Sequence, residues 1–286
     1  MVIPAYNSES TIATAIGSAL EQELIAEVIV VDDGSIDGTV AAAKAVGDPR
    51  VTILEQPNSG PGAARNTGAA AATASHLVFL DADDCLLPDA LLTFATGNED
   101  RPLIRTGAIW RTPDGKERIG LATRDPRPFP RGAPLAGSFA ISRALFEEIG
   151  GYDHGFRFGE NSELLLRAAA RSATRGGTTA FVGAATVVWV QLSESRNDRY
   201  ESRRRVAAAR MVDKHGDLLR DDPETLHNHH AIAAELNRRN GDTRTALRHG
   251  VGAVRARPTA VRSWARLVRI ALTRLHEAPA DEWTDD

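Results

Sequence analysis

Short apolar runs alternate with amphipathic segments through the first hundred residues of this 286-residue chain. Four predicted strands cover residues 2–3, 28–31, 51–54 and the segment that ends at Asp81, and the continuous apolar run at 28–31 is expected of a strand buried on both faces of a sheet. Between them lie three segments with a helical spacing of apolar or alanine residues, at 8–20, 39–46 and 63–72. This alternation predicts a parallel, doubly wound half-sheet. Because such crossovers are right-handed, every strand-to-helix loop should lie on one edge of it.

The pattern changes after about residue 100. Residues 104–111 and 117–121 predict a β-hairpin. Residues 139–141 predict a strand and residues 143–149 a short helix, and a longer amphipathic helix begins at Glu160.

From about residue 200 the sequence predicts helices only. Gly241 and Asp242 separate two of them, with Gly241 after the end of one helix and Asp242 capping the next. The spacing of Gly241, Ala246, Ala253 and Pro258 fits one tetratricopeptide-like helix pair. A single repeat cannot stack into a solenoid, so a helical cap on the preceding domain is the preferred interpretation. We therefore predict an α/β domain over residues 1–195 and a helical region over residues 200–286.

Charge and composition argue against several classes of protein. The formal net charge is −4, which gives no reason to expect a nucleic acid partner. No apolar run approaches the ~20 residues that span a bilayer, and Met1 leads into the first strand without a signal peptide. Cys85 is the only cysteine, so intrachain disulfides are impossible and a reducing compartment is favoured. The expected location is therefore the cytoplasm.

Two polar clusters in the helical region each have a functional and a plain interpretation. The arginines at 196, 199 and 203–205 could contact a diphosphate or the anionic inner face of a membrane, but a solvated helix face is preferred. His227, His229 and His230 suggest a metal cluster. Their spacing suits neither a zinc finger nor a pair on one helix face, so they are interpreted as surface residues.

Acidic residues cluster where the predicted strands end. Asp81 and Asp83 alternate around Ala82 after the fourth strand, and Asp33 follows the second. In open α/β sheets ligands bind at the carboxyl ends of the strands, so these carboxylates should meet at one edge. Two alternating carboxylates can bind one hard cation, Mg²⁺ or Mn²⁺, together with water and substrate phosphates. The alternative is a strand-end turn with solvated acids.

Four motifs in register resemble those of the family-two glycosyltransferases of the GT-A fold: VIPAYN at 2–7, VDDGS at 31–35, GAARNTG at 62–68 and FLDADD at 79–84. Gly151-Tyr152-Asp153 and Gly159-Glu160-Asn161 resemble the acceptor-side motifs of the same family. The resemblance covers roughly residues 2–195. It implies a Rossmann-like, mostly parallel central sheet flanked by helices, with residues 1–100 as the nucleotide-binding half and 101–195 as the acceptor-side half.

The resemblance also implies an activity. Such enzymes transfer a sugar from a nucleoside diphosphate donor to an acceptor with inversion at the anomeric carbon, here with a divalent cation. Pro4, Tyr6 and Asp33 would surround the base, and Asp33 would accept from its ring N–H. Arg65 would lie near the base or the diphosphate. The implied nucleotide-binding residues are Pro4, Ala5, Tyr6, Asp33, Ser35, Arg65, Asp81 and Asp83, and Asp81 and Asp83 are the implied metal ligands.

The general base is where this chain departs from the family pattern. The family has Glu-Asp where this chain has Glu160-Asn161, and that Asp is its base. An amide cannot accept the proton, so Asn161 cannot take this role. Glu160 and Glu163 are the candidates to replace it. Glu160 is preferred, because it precedes the helix and can point into the cleft.

Two other functions remain open from the sequence. One is a catalytically inactive sugar-nucleotide-binding or scaffold protein, because Asn161 cannot act as the base. The other is a nucleotidyltransferase, which would need a glycine-rich basic loop where residues 4–7 read PAYN, and is therefore disfavoured. The acceptor, whether a glycan, a lipid or a small molecule, is not specified.

Overall fold

The computed structural model describes residues 1–97, 101–112, 114–121, 134–190 and 198–277. The chain divides into two compact units, Met1–Glu194 and Ser195–Asp286. The first contains all the described strands. Among the described helices, none has the length and apolar character needed to cross a membrane.

The first sheet contains three of the four strands predicted for the parallel half-sheet; the fourth belongs to the second sheet and is linked to the first by the bridge between Val2 and Phe79. Its three strands, in the order β1-β2-β3, are β1 (Val2–Ala5), β2 (Val28–Asp32) and β3 (Val51–Glu55). The helices that follow them are α1 (Ile12–Leu20), α2 (Thr39–Ala45) and α3 (Pro61–Ala71). The alternation predicted from the sequence is confirmed, and β1 and β2 are buried throughout, whereas β3 is partly exposed.

A second, six-stranded sheet follows, and it is mixed. Its strands are β4 (His76–Val78), β5 (Cys85–Leu86), β6 (Leu103–Arg111), β7 (Glu117–Gly120), β8 (Phe139–Ser142) and β9 (Ala180–Val190). They lie in the order β4-β8-β6-β9-β5, with β7 against β6. The predicted hairpin is confirmed as β6 and β7. Only β6 and β9 pair in parallel, so the expected parallel character holds for the first sheet and for this one pair.

Helix α3 packs unusually close to the first sheet. A Cβ atom on Gly68 would overlap Val2 Cγ1 and lie 3.1 Å from Val31 Cγ2. Only glycine permits this approach. The last glycine of the GAARNTG motif therefore lets α3 pack directly on β1 and β2.

Three more helices, α4 (Ala90–Ala95), α5 (Arg143–Glu148) and α6 (Glu160–Thr174), complete the described part of the first unit. An aromatic cluster joins the second sheet to the segment before α6. The Phe79 ring contacts Phe139, Phe146 and Tyr152, and its centroid lies 5.1 Å from that of Tyr152 in an edge-to-face arrangement. Such rings give rigid burial of apolar area. They fix the Tyr152 segment against the sheet.

The second unit consists of helices in its described part: α7 (Asp198–His215), α8 (Pro223–Arg239), α9 (Thr243–Ala256) and α10 (Val261–Glu277). Gly241 has φ +79° after the end of α8, and Asp242 Oδ1 accepts a hydrogen bond from Thr245 N at 3.0 Å. The predicted helix boundary is confirmed. The assignment of this pair to a tetratricopeptide-like repeat stays a prediction.

The interpretation of the three histidines as surface residues is wrong. His227 is buried, and its Nδ1 lies 2.8 Å from Ala253 O on α9. His230 Nδ1 lies 3.1 Å from His249 Nδ1. Burial lowers the pKa of His229 and of His230 to about 4. His227 and His230 contact α9, so the facing helix, and not their spacing along α8, decides their environment.

Candidate active site

The loops that follow the parallel strands meet at one edge of the first sheet, called here the carboxyl edge. Ala5 at the end of β1 lies opposite Asp32 at the end of β2. On the other side of β1, Val2 bridges Phe79 in parallel, and Asp81 follows two residues later. The convergence of the strand-end acids predicted from the sequence therefore follows from the observed register.

Arg65, in the second turn of α3, lies between Asp81 and Glu160. Its Nη2 donates to Asp81 Oδ1 at 2.6 Å, and its Nη1 donates to Glu160 Oε1 at 3.2 Å. The Arg65 side chain is only 2% exposed, and its Cζ lies 5.1 Å from the centre of the Tyr152 ring. Burial alone would lower the pKa of the guanidinium, but the negative charges of Asp81 and Glu160 raise it. Arg65 is thus a fixed cation that joins the strand-end acid Asp81 to Glu160 at the start of α6.

Asp83 lies beside this cluster and is exposed. Partial desolvation, followed by the charge of Asp81, raises the pKa of Asp83. A hard cation would relieve this repulsion, so the two residues fit Mg²⁺ or Mn²⁺ chemically. Among the described residues no group of three or more His, Cys, Asp or Glu side chains is arranged to bind a metal. A cation here would therefore complete its coordination with diphosphate oxygens and water.

Asp33 holds the loop before α3, and its contact with the base stays a prediction. Its Oδ1 accepts from Gln56 Nε2 at 2.7 Å and from Ser59 N at 2.8 Å, and its Oδ2 accepts from Gly60 N at 2.8 Å. The residue is buried. Both oxygens are thus bonded to the loop that leads into α3, and Asp33 positions Arg65 through that loop.

Asp32 is a strand-end acid to which the sequence analysis assigned no role. Its Oδ2 accepts from Ser35 N at 3.0 Å, while its Oδ1 is buried and has no hydrogen-bond partner among the described residues. A buried carboxylate oxygen without a partner is costly and indicates a donor still to be supplied. Adjacent residues of a strand point to opposite sides, which was the available signal that Asp32 and Asp33 would differ.

Four more of the predicted residues lie in β1 or in the loops that follow β1 and β2. Pro4 and Ala5 are buried in β1, and Tyr6 is 51% exposed at the carboxyl edge. Ser35 Oγ accepts from Asn7 N at 2.9 Å, so Ser35 joins the loop after β1 to the loop after β2. Ser35, like Asp33, therefore holds loops in place at the carboxyl edge.

Asn161, where the family has its base, is used structurally. Its Oδ1 accepts from the Tyr152 hydroxyl at 2.8 Å, and its Nδ2 donates to Pro134 O at 3.1 Å. Burial raises the pKa of Tyr152, which therefore stays a neutral donor. The amide is the right group for this place, because it must accept on one side and donate on the other.

Glu163 is also structural. It is fully buried, and Arg167 contacts its two oxygens at 2.7 Å and 2.6 Å. Arg167 further donates to the backbone oxygens of Ile149 and Gly151. Its packing makes Glu163 unsuitable as a base, and Glu160 is the candidate that remains at the site.

Asn66 is a residue that sequence reasoning missed. Its Nδ2 donates to Tyr152 O at 2.9 Å, and its Oδ1 accepts from Tyr152 N at 2.8 Å. A Cβ on Gly151 would lie 2.6 Å from that Oδ1. Asn66 therefore ties the acceptor-side turn to the helix that carries Arg65, and its place next to Arg65 in the motif was the only signal.

Residues 1–162 match the model of glycosyl transferase family 2. The chain belongs to this family. Succinoglycan biosynthesis protein ExoO of Rhizobium meliloti (strain 1021) is 50% identical over 92 residues, which are 32% of this chain and 26% of the relative. The uncharacterized glycosyltransferase YibD of Escherichia coli (strain K12) is 35% identical over 116 residues, 38% of this chain and 33% of the relative. The matches thus span about a quarter to a third of these curated relatives.

Solved glycosyltransferases share the fold. S. aureus TarS 1-349 in complex with UDP-GlcNAc has a TM-score of 0.59 at 16% identity, over 98% of this chain and 92% of that one. The mannosyltransferase PcManGT from Pyrobaculum calidifontis, in complex with GDP-Man and Mn²⁺, has a TM-score of 0.53 at 20% identity, over 97% and 87%. The predicted GT-A fold with a C-terminal helical region is confirmed.

Proposed function

We propose that this protein transfers a sugar from a nucleoside diphosphate donor to an acceptor hydroxyl with inversion. The observation that carries the proposal is the contact of one buried arginine, Arg65, with both Asp81 and Glu160. It joins the acids of the donor side to the acid of the acceptor side. Solved relatives of the same fold bind UDP-GlcNAc, or GDP-Man with Mn²⁺, which supports this class of donor.

On the donor side, Asp81 and Asp83 would hold the divalent cation. When bound, that cation offsets the negative charge that the departing diphosphate acquires in the transition state. The unpartnered Oδ1 of Asp32 would accept a hydrogen bond from the ring N–H of the base. The buried residues Pro4 and Ala5 would form the floor, with the half-exposed Tyr6 beside the nucleotide.

On the acceptor side, Glu160 would take the proton of the attacking hydroxyl. The acceptor oxygen then forms its bond to the anomeric carbon, while the bond from that carbon to the diphosphate breaks and its electron pair leaves with the diphosphate. A single displacement needs one base and no nucleophile from the protein, and it inverts the configuration at the anomeric carbon. Arg65 fixes the direction of the Glu160 carboxylate.

Turnover of nucleotide sugars by the purified protein tests this proposal. We expect release of the nucleoside diphosphate from one member of a donor panel in the presence of Mn²⁺, faster with acceptor, and an anomeric product of inverted configuration by NMR. If one donor binds but is never consumed with any acceptor in a glycan, lipid and small-molecule panel, the chain is instead the sugar-nucleotide-binding protein that Asn161 suggested. A retained configuration would contradict the single displacement.

A further inference from the structure

The last helix, α10, has one face in the core of its unit and an opposite face that is apolar and exposed. Ile270 packs with Ala234 and Ala246, and Ser263 is buried next to His227. On the other face lie four large apolar side chains, each at least half exposed: Val261, Trp264, Val268 and Leu272. We call these four residues the α10 stripe. Their spacing of three, four and four residues places them in one row.

The α10 stripe is unusual in this molecule. In the part of the chain that the structure describes, no other helix or strand carries more than one large, exposed apolar side chain. Single exposed apolar residues are ordinary, whereas a contiguous row marks an interaction surface. The stripe is therefore a surface that something covers.

Charge indicates what covers it. Arg262 and Arg269 are seven residues apart and both exposed, so they lie together along one edge of the α10 stripe. No aspartate or glutamate occurs between Val261 and Leu272. In the second unit as a whole, arginine and lysine outnumber the acids, in contrast to the acidic first unit. An apolar row beside a basic edge is the pattern of a helix that lies on an anionic lipid surface.

The hydrogen bonding of Trp264 suits contact with such a surface. Its indole Nε1 donates to Pro258 O at 2.8 Å, so its only donor is satisfied within the protein. The exposed ring can enter an apolar layer without losing a hydrogen bond to water. Tryptophan is enriched at the boundary between lipid headgroups and acyl chains.

We propose that α10 docks this protein on an anionic phospholipid membrane. The α10 stripe faces the acyl boundary, and Arg262 and Arg269 reach the lipid phosphates with their stems along the apolar surface. A second copy of the chain fits less well, because the exposed part of α10 has no acid to pair with the arginines of a partner. This inference concerns the second unit and stands independently of the proposed activity.

Co-sedimentation of the full chain with lipid vesicles tests the docking. We expect binding to phosphatidylcholine vesicles that contain about one third phosphatidylglycerol, and at least fivefold less binding to pure phosphatidylcholine. The double variant W264S/V268S should lose at least fivefold in bound fraction, and R262Q/R269Q should lose the preference for anionic vesicles. The matched control V206S/L218S changes two exposed apolar residues elsewhere in the unit and should bind like the wild type.

Hydrogen exchange of the wild-type chain gives a readout that needs no variant. Residues 261–272 should exchange more slowly with anionic vesicles present than without them. Three outcomes would overturn the proposal: equal binding of W264S/V268S and wild type, no vesicle-dependent protection of α10, or a wild-type oligomer that W264S/V268S converts to a monomer. The last would assign the stripe to a second copy.

Discussion

Two sets of carboxylates occur in the first unit, and the protein treats them differently. In the closed set, Asp33 and Glu163, both oxygens of each side chain accept hydrogen bonds from the protein, and both residues are buried. In the open set, Asp81, Asp83 and Glu160, two side chains share one guanidinium and the third is exposed. The closed set holds loops in place. Under the proposed function the open set binds a cation and takes a proton, so acids of equal prominence in the sequence have separate roles.

The largest effect should come from removal of the proposed base. Glu160→Gln keeps the shape of the side chain and its acceptor toward Arg65 but removes the ability to take a proton, so kcat should fall about 10²–10⁴-fold. Steady-state transfer measures this. The matched variant Glu163→Gln, from the closed set, should keep kcat per folded molecule near the wild-type value. Equal losses in both variants would remove the distinction between the two sets.

Loss of an open-set metal ligand should come next. Asp83→Asn should lower kcat/KM by about 10²–10³-fold at saturating Mn²⁺, because the charge on the leaving diphosphate is less well compensated. Its melting temperature should stay equal to the wild type or rise slightly, since partial desolvation and then the charge of Asp81 raise the pKa of Asp83. Full activity in Asp83→Asn would exclude this residue as a ligand.

The closed set should instead affect stability. Glu163→Ala removes the carboxylate partner of the mostly buried Arg167, which should reduce the free energy of unfolding by about 3–5 kcal/mol. Denaturant titration measures it. Glu147→Ala removes a similar i,i+4 partner of Arg143 that is mostly exposed, and it should cost about 0.5 kcal/mol or less. Similar losses in both would show that burial is not the cause.

The adjacent pair Asp32 and Asp33 gives a finer comparison. Asp33→Asn turns an acceptor into a donor that faces backbone N–H groups, so the free energy of unfolding should fall by about 2 kcal/mol. Asp32→Asn, whose Oδ1 has no described partner, should mainly weaken nucleotide binding, by about tenfold. Calorimetric titration and denaturant unfolding separate the two effects. If Asp33→Asn instead weakens nucleotide binding and Asp32→Asn lowers stability, Asp33 is the residue that contacts the base.

The smallest effect concerns the histidines of the second unit. Burial lowers the folded-state pKa of His229 and His230 to about 4, against about 6.5 in the unfolded chain. The folded state therefore binds fewer protons, so their contribution to stability is present above about pH 6.5 and is lost as the pH falls toward 4. Melting temperatures between pH 7.5 and 4.5 should decline in the wild type. The decline should be shallower in H229Q/H230Q. An unchanged slope would contradict the assignment of this pH dependence to the two histidines.

The sequence predicted what depends on local pattern. The alternation of apolar runs and helical segments, the β6–β7 hairpin and the Gly241–Asp242 helix boundary all follow from neighbouring residues. Contacts between distant segments were not predictable in this way. Whether Asp32 or Asp33 meets the loop before α3 depends on where residues 56–60 lie, and the burial of His227 depends on α9. Asn161 was identified as unable to act as a base, but its bond to Tyr152 required the fold.

The central claim is that the open set binds a cation and a nucleoside diphosphate together. Thermal unfolding of the purified chain with each nucleoside diphosphate, with and without Mn²⁺, tests it most directly, because ligand binding to the folded state raises the melting temperature. We predict a rise with one nucleotide that requires Mn²⁺ and disappears in Asp83→Ala. A folded protein that no nucleoside diphosphate stabilises under either condition, or an equal rise in Asp83→Ala, would contradict the claim.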